Sequence, residues 1–216
     1  MKNKKETEEI LDKLKEEYPY KKGFLNFKTP FELTIAVLLS AQATDKMVNK
    51  VTEKFFETAG NPEKLSKLSI DDIKKHISSI NFYNNKAKNI YNLNKILLEK
   101  YNGKIPENME DLMKLPGIGR KSANVIMLEA FKKPQGVAID THAKRICKRL
   151  GITKNDDPEK VEKDLLRKID YKYYFDANYL FVMHGREICM SRKPKCENCP
   201  VSYLCDEYNK NLEKNI

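Results

Sequence analysis

Apolar residues recur along this chain at helical spacing, and no stretch alternates between apolar and polar residues as a half-buried strand does. An N-terminal stripe of this kind, which stops at Pro19, consists of Ile10, Leu11, Leu14 and Tyr18. The segment from Phe31 to Ala41 is apolar on nearly every side, so we expect its helix at the centre of a core. The pattern predicts an all-α chain.

Residues that begin and end helices stand at the boundaries of these segments. Ser, Thr, Asp and Asn side chains accept hydrogen bonds from the first amides of a helix, whereas glycine and proline interrupt one. Helix starts are predicted at Thr29-Pro30, Thr44-Asp45, Ser69, Asn108 and Asp157-Pro158. A longer helix is predicted from Asn85 to Tyr101, before Asn102-Gly103. A proline and a glycine interrupt the series within residues 132–136, which is the one seam suggested.

The charge balance is basic, with 41 Lys and Arg against 31 Asp and Glu and a formal net charge of +10. This balance favours an anionic partner such as nucleic acid, with a lysine-rich solvated surface as the alternative. The longest apolar stretch, Ile35 to Leu39 with its flanks, falls short of the ~20 residues that a membrane span needs. The charged N-terminus does not resemble a secretory signal. We therefore expect a cytoplasmic protein that is not bound to a membrane.

Four cysteines lie within seventeen residues with the spacing C-x6-C-x2-C-x5-C: Cys189, Cys196, Cys199 and Cys205. Thiolates select zinc or iron–sulfur clusters, and zinc ribbons usually have two C-x2–4-C pairs. Because only one such pair is present, the spacing favours a compact iron–sulfur cluster over a zinc site. Two disulfides are a further alternative, although they are typical of small secreted proteins. Cys147 lies outside the spacing.

Residues 112–123 read Leu-Met-Lys-Leu-Pro-Gly-Ile-Gly-Arg-Lys-Ser-Ala, which predicts a helix, a tight glycine turn and a second helix. Gly117 and Gly119 permit backbone conformations and close approaches that a side chain would block. The amides of the turn and of Arg120 would then point outward at the positive end of a helix dipole, an arrangement that suits a phosphate oxygen. An ordinary helix–helix turn is the alternative.

Two ionisable residues are candidates for chemistry. Lys121 lies in the first turn of the second helix, where a cation opposes the dipole, so helix stability does not explain it. Burial and the dipole would both favour the neutral amine that a nucleophile requires. Asp140 follows the apolar residues 137–139 and could act as a catalytic carboxylate, although its position alone favours an N-cap. His142 is interpreted as structural.

Together these motifs resemble the endonuclease III family of the helix–hairpin–helix DNA glycosylases. The resemblance extends to residues 38–45 and 183–186 and covers almost the whole chain. It implies a bifunctional DNA glycosylase and abasic-site lyase of base-excision repair that removes oxidised pyrimidines from duplex DNA. Lys121 would attack C1′ of the damaged nucleotide, expel the base and form a Schiff base, and Asp140 would assist it. The 3′-phosphate would then leave by β-elimination.

The same resemblance implies two helical lobes with a DNA-binding groove between them. Residues 23–133 would form a six-helix barrel with the helix–hairpin–helix motif. Residues 1–22 and 134–216 would form an iron–sulfur domain, in which the four spaced cysteines hold a [4Fe-4S] cluster. The partner would be double-stranded DNA with a damaged base or an abasic site, bound by a monomer.

Further DNA contacts follow from the resemblance. Gln42 would fill the space that the rotated nucleotide leaves, and Phe82 would act as a wedge. The family often has glycine and leucine where this chain has Asn81 and Phe82, and the alternative is that Phe82 belongs to the core. Other expected contacts are Gly117, Gly119 and Arg120 of the hairpin, and Arg192, Lys193 and Lys195 of the cluster loop. The cluster-loop charges could instead form a solvated basic stretch.

Three other functions compete with this reading. A DNA-binding module without catalysis would have no use for Lys121 together with Asp140. The adenine-excising branch of the superfamily generally lacks the lysine and has a long additional C-terminal domain, whereas this sequence ends eleven residues after Cys205. A zinc-stapled structural protein would be colourless, unlike an oxidised iron–sulfur protein.

Overall fold

The computed structural model of the chain describes residues 1–20 and 23–214, and these residues form helices and turns with no β-strand among them. The all-α prediction is therefore confirmed. The α-helices are α1 (Lys4–Glu17), α2 (Pro30–Ser40), α3 (Asp45–Ala59), α4 (Pro62–Leu65), α5 (Ile70–Ile77), α6 (Tyr83–Lys100), α7 (Met109–Lys114), α8 (Arg120–Glu129), α9 (Thr141–Arg149), α10 (Pro158–Leu166), α11 (Ala177–Glu187) and α12 (Asp206–Lys214). Short 3-10 helices lie at Tyr171–Phe175, Cys196–Asn198 and Ser202–Leu204.

The predicted polar starts are confirmed, since each accepts a hydrogen bond from an amide in the first turn of its helix. These N-caps are Thr29, Thr44, Ser69, Asn108 and Asp157. Helix α6 begins two residues before the approximate start predicted at Asn85. The helix begins at Tyr83, because Phe82 adopts a left-handed φ of 59° and serves as an N-cap without a side-chain hydrogen bond. No polar residue marks that boundary in the sequence.

The chain divides into two compact units, which we call the internal unit (Gly23–Lys133) and the terminal unit (Met1–Lys22 with Pro134–Ile216). In the internal unit, α2 lies at the centre of the core, and its residues 31–39 are all buried. Helices α3, α6 and α8 contact it. The expectation that this apolar segment is central is confirmed.

The terminal unit has its own core, to which both ends of the chain contribute. Ile10, Leu11 and Leu14 of α1 are fully buried, and α1 packs against α11. Helix α11 also contacts α9, which in turn contacts α10. The names six-helix barrel and iron–sulfur domain for the two units stay predictions.

Of the helices in the described residues, none combines the length and the apolar composition that crossing a membrane requires.

Candidate functional site

The glycine turn between α7 and α8 depends on Gly117. Its φ is +82°, and a Cβ there would lie 3.0 Å from Leu38 Cδ1 and 3.1 Å from Asn89 Nδ2. The left-handed conformation and the close approach both exclude a side chain. Ile118 is buried beside it, and its amide donates to the Leu115 carbonyl oxygen at 3.1 Å. The turn is therefore a rigid corner fastened to the core of the internal unit.

Gly119 differs from the expectation for the hairpin glycines. It is the N-cap of α8 with an extended backbone (φ −95°, ψ 179°), and a Cβ would have no neighbour within 4 Å. Neither conformation nor packing within the described residues requires glycine here. No side-chain hydrogen bond caps the helix. The open space in front of Gly119 thus leaves the first amides of α8 approachable.

Lys121 lies in the first turn of α8, as expected, but its side chain is exposed. The expectation that the protein buries this amine is wrong. The reason is local, because the start of α8 follows an open turn whose Gly119 has empty space beside it. Arg120, at the same helix start, is half-buried.

Asp140 caps α9 in the terminal unit. Its Oδ1 accepts a hydrogen bond from the Ala143 amide at 2.8 Å, which confirms the prediction that Asp140 is an N-cap. The preceding residues 137–139 are buried, and Asn178 Nδ2 donates to the Ala138 carbonyl oxygen at 2.6 Å. These contacts fix the carboxylate. Its Oδ2 has no hydrogen-bond partner among the described residues, so capping leaves one carboxylate oxygen available.

His142 is half-buried and belongs to a local hydrogen-bond network. Arg145 Nη2 lies 3.2 Å from its Nδ1, and because guanidinium groups only donate, Nδ1 is the acceptor. Burial, followed by the neighbouring Arg145 charge, lowers the pKa of His142 against the opposing effect of Asp140. Arg145 also donates to the carbonyl oxygens of Gly185 (3.1 Å) and Cys189 (2.9 Å). This placement agrees with a structural role for His142.

The four spaced cysteines line one cavity of the terminal unit, together with Arg149 and His184. All of them are free thiols. No group of three or more His, Cys, Asp or Glu side chains within residues 1–20 and 23–214 is arranged to hold a single metal ion. Zinc would require its thiolates at about 2.3 Å. Four cysteine sulfurs around one cavity are the donor set that an iron–sulfur cluster takes.

Burial in the cavity disfavours the thiolate forms of three of these cysteines. Burial, with smaller effects from the other cysteines, raises the pKa of Cys199 to about 11 and also raises the pKa values of Cys196 and Cys205. Four thiolates would repel one another in this half-buried space. Metal ions remove this repulsion, since thiols lose their protons when they coordinate a metal.

Arg149 and His184 lie beside the cysteines, and neither was predicted from the sequence to have a role there. Arg149 Nη1 donates to Cys189 Sγ at 3.5 Å and to the Met190 carbonyl oxygen at 2.7 Å. Buried His184 lies with Nε2 3.6 Å from Cys199 Sγ and Nδ1 3.4 Å from Tyr18 Oη. Burial, and then Arg145, lowers the pKa of His184 to about 4, so this imidazole is neutral at neutral pH. Only the motif at residues 183–186 could have indicated His184, and nothing in the sequence indicated Arg149.

The basic residues of the cluster loop, Arg192, Lys193 and Lys195, are all exposed. The loop backbone is fastened on both sides of them. Arg149 Nη2 donates to the Ser191 carbonyl oxygen at 3.3 Å, and the Lys195 amide donates to the Ile188 carbonyl oxygen at 3.0 Å. The three charges therefore stand on an anchored loop.

Gln42 and Phe82, both in the internal unit, are exposed and have left-handed backbones with φ of 53° and 59°. Phe82 is 61% exposed, so the alternative that it belongs to the core is wrong. The two residues lie on separate loops that a hydrogen bond joins, from Asn81 Nδ2 to the Gln42 carbonyl oxygen at 3.0 Å.

Comparisons with known proteins agree over the length of the chain. The profile of the HhH-GPD superfamily of base excision DNA repair proteins matches residues 35–170, and that of the iron–sulfur binding domain of endonuclease III matches residues 189–205. Endonuclease III of Haemophilus influenzae is 44% identical over 211 residues, which are 98% of this chain and 99% of the relative. Endonuclease III of Escherichia coli (strain K12) is 43% identical with the same coverage. A solved structure of a trapped endonuclease III–DNA covalent intermediate has a TM-score of 0.92 at 39% identity, covering 98% of this chain and 100% of that one.

Replacing Gly117 with alanine should lower the free energy of unfolding by about 1–3 kcal/mol, because of the left-handed φ and the contacts with Leu38 and Asn89. Denaturant unfolding measures the effect. Gly119→Ala is the matched control and should cost less, about 0.5 kcal/mol, since alanine is a poorer N-cap residue than glycine but meets no steric conflict there. Equal losses in the two variants would contradict the distinction between these glycines.

Replacing Cys199 with serine should remove most of the bound iron and the visible absorbance, because one of four sulfur donors is lost. Metal binding is coupled to folding, and a loss of ~2 kcal/mol would lower Tm by about 4–8 °C in a chain of this size. Iron analysis and thermal melting measure both effects. Cys147→Ala, outside the cavity, should keep its iron. Full iron content in Cys199→Ser would remove Cys199 from the ligand set.

Proposed function

The chain belongs to the HhH-GPD superfamily of base excision DNA repair proteins, and on that premise we propose a bifunctional DNA glycosylase and abasic-site lyase with Lys121 as its nucleophile. The observation that carries the assignment is an exposed lysine in the first turn of α8, directly after an uncapped hairpin. Helix stability does not account for a cation at this point. The relative whose fold this chain shares at a TM-score of 0.92 was trapped as a covalent intermediate with DNA.

The hairpin would hold the DNA backbone. The first amides of α8 have no side-chain cap, and Gly119 leaves the space before them open. A phosphate oxygen can therefore approach these donors at the positive end of the helix dipole. The charge of Arg120 at the same helix start would add to the attraction, and the net charge of +10 favours duplex binding in general. Phosphate contacts of this kind would set the register of Lys121 along the strand.

Lys121 would carry the covalent step. Its neutral amine attacks C1′, the C1′–N bond breaks, and the base leaves with the bonding electrons and takes up a proton. The nitrogen lone pair then forms the C1′=N bond as the C1′–O4′ bond of the ring breaks, and the ring oxygen takes up the remaining amine proton, which gives the Schiff base. The imine acidifies C2′, so a C2′ proton and the 3′-phosphate leave by β-elimination. Since the side chain is exposed in the free protein, the bound DNA itself would exclude water around the amine.

Asp140 would stabilise the positive charge that develops on the sugar as the base departs. One of its oxygens is fixed by the Ala143 amide, which orients the carboxylate and leaves the other oxygen for this task. The damaged nucleotide would have to rotate out of the duplex, because C1′ and its base are otherwise enclosed by the stack. Gln42 and Phe82 would occupy the space that it leaves.

A [4Fe-4S] cluster is the cofactor, and we assign Cys189, Cys196, Cys199 and Cys205 as its ligands. When bound, it would supply a covalent cross-link for the C-terminal loop rather than chemistry on the sugar. That loop would present Arg192, Lys193 and Lys195 to DNA phosphates at a small ordering cost.

The substrate class is oxidised pyrimidine in duplex DNA, together with abasic sites. A monomer suffices, since Lys121 and Asp140 come from the same chain. We also infer a cytoplasmic location, because the similar endonuclease III proteins come from bacteria, whose DNA lies in the cytoplasm.

Lys121→Gln should reduce borohydride trapping on a duplex containing an oxidised pyrimidine to background, because no amine remains to form the imine. Gel analysis of the covalent complex is the measurement. Lys114→Gln, which removes an exposed charge from the helix just before the same hairpin, should still be trapped and should match Lys121→Gln in DNA affinity. Normal strand cleavage by Lys121→Gln would point to another nucleophile. Binding without trapping or base release by the wild type would favour the non-catalytic module.

Asp140→Asn should slow base excision by roughly 10²- to 10³-fold while leaving iron content unchanged. Asparagine can still accept the Ala143 hydrogen bond, so the variant removes the charge and retains the cap. Single-turnover kinetics measures the rate. Asp157→Asn is the matched control, since Asp157 caps α10 through the Lys160 amide at 3.0 Å. Comparable slowing in both variants would show that charge at residue 140 is not the cause.

A further inference from the structure

The two residues that would enter the duplex, Gln42 and Phe82, are joined through a side chain that lies beside them. Asn81 Nδ2 donates to the Gln42 carbonyl oxygen at 3.0 Å, across 39 positions of sequence. This carbonyl belongs to a residue with a left-handed backbone, which non-glycine residues rarely adopt. The bond therefore holds the Gln42 peptide in one orientation relative to the Phe82 loop.

A buried lysine fastens the same pair of loops from the inside. Lys86 is 6% exposed, and its Nζ donates to the carbonyl oxygens of Leu39 (2.9 Å) and Ala41 (2.6 Å). These carbonyls belong to the last turn of α2 and the residue after it, where a cation is favoured by the helix dipole. Burial lowers the pKa of Lys86, since desolvation disfavours its charged form. Burying this charged amine costs free energy, and its two hydrogen bonds lie where α2 ends, next to Gln42.

The backbone of the loop that carries Phe82 is also held by hydrogen bonds. The Phe82 carbonyl oxygen accepts from the amides of both Asn85 and Lys86 at 3.1 Å, so its left-handed peptide starts α6. Ile80, two residues before, is fully buried and its amide donates to the Ile77 carbonyl oxygen. The side chains of Gln42 and Phe82 are both exposed on this braced frame.

We propose that Asn81 and Lys86 are positioning residues that hold Gln42 and Phe82 in the orientation needed to fill the gap left by the rotated nucleotide. This inference rests on the proposed function. A side chain inserted into a duplex must replace lost stacking, and a tip that is already ordered loses less conformational entropy on insertion. The brace would therefore strengthen binding to DNA that contains a gap in the stack and leave binding to intact duplex unaffected.

Asn81 is the residue to test, because it is exposed and its replacement should not disturb the core. Asn81→Ala removes the donor, and Asn81→Asp replaces it with a carboxylate oxygen that cannot donate. Asn85→Ala and Asn85→Asp are matched controls, since the Asn85 side chain is exposed on the first turn of α6 and the Asp variants add equal charge. Lys86→Met is a second variant, and its DNA affinity is interpreted only if thermal melting shows that the variant folds.

The measurement is the dissociation constant for a duplex with a tetrahydrofuran abasic analogue, relative to the same duplex without a lesion. A 2-aminopurine opposite the analogue reports by its fluorescence whether the gap is filled. The Asn81 variants should bind the abasic duplex roughly 2- to 10-fold more weakly, with unchanged affinity for intact duplex, altered 2-aminopurine fluorescence and unchanged Tm. The Asn85 variants should behave as the wild type.

Wild-type preference and wild-type fluorescence in both Asn81 variants would overturn the inference and leave the proposed function standing. Equal losses in the Asn81 and Asn85 variants would also overturn it, since the brace would then have no specific role. A wild-type protein without any preference for the abasic duplex would contradict the proposed function itself.

Discussion

The backbone groups at the ends of its helices constrain this protein more than any other feature. The first amides and last carbonyls of a helix have no partner within it, so each end must find one outside. Most helices here use a short polar side chain for this purpose: Asn3, Thr29, Thr44, Asn61, Ser69, Asn108, Asp140 and Asp157. Two of the ends that depart from this solution carry residues with a proposed function, and Asp140 carries one at a capped end. Helix α8 begins uncapped next to Lys121, and α6 begins at the left-handed Phe82.

The same principle connects the cysteine cavity to α9. This helix is capped by Asp140 and carries Arg145 and Arg149 on successive turns. Both guanidinium groups donate to carbonyl oxygens of the segment 189–191. Chain carbonyls that no secondary structure satisfies are thus paired with cations from one helix. The result is a single hydrogen-bonded assembly that contains the carboxylate at one end and the first cysteine at the other.

Local signals in the sequence were sufficient for the helices and for the residue types at the site. Caps such as Thr29 and Ser69 act within four residues, and the apolar run of α2 needs no partner to be recognised as core. Burial of Lys121 was expected wrongly, because the spacing of apolar residues does not show that the turn before α8 is open, with no atom within 4 Å of a Cβ at Gly119. Arg149, His184 and Lys86 act on groups that lie 15 to 47 positions away, so spacing could not reveal them. The resemblance to a family supplied the roles that such distances conceal.

Asp140 is subject to two separate demands, one from the start of α9 and one from the chemistry proposed for its free oxygen. Asparagine, serine and threonine meet the first demand but carry no charge, and glutamate carries the charge but is a poor N-cap. Of the genetically encoded amino acids, aspartate alone satisfies both. Residue 140 cannot change in evolution without a loss. Every single substitution removes either the N-cap hydrogen bond of α9 or the negative charge. Mutational tolerance at residue 140 should accordingly be narrower than activity or stability would impose separately.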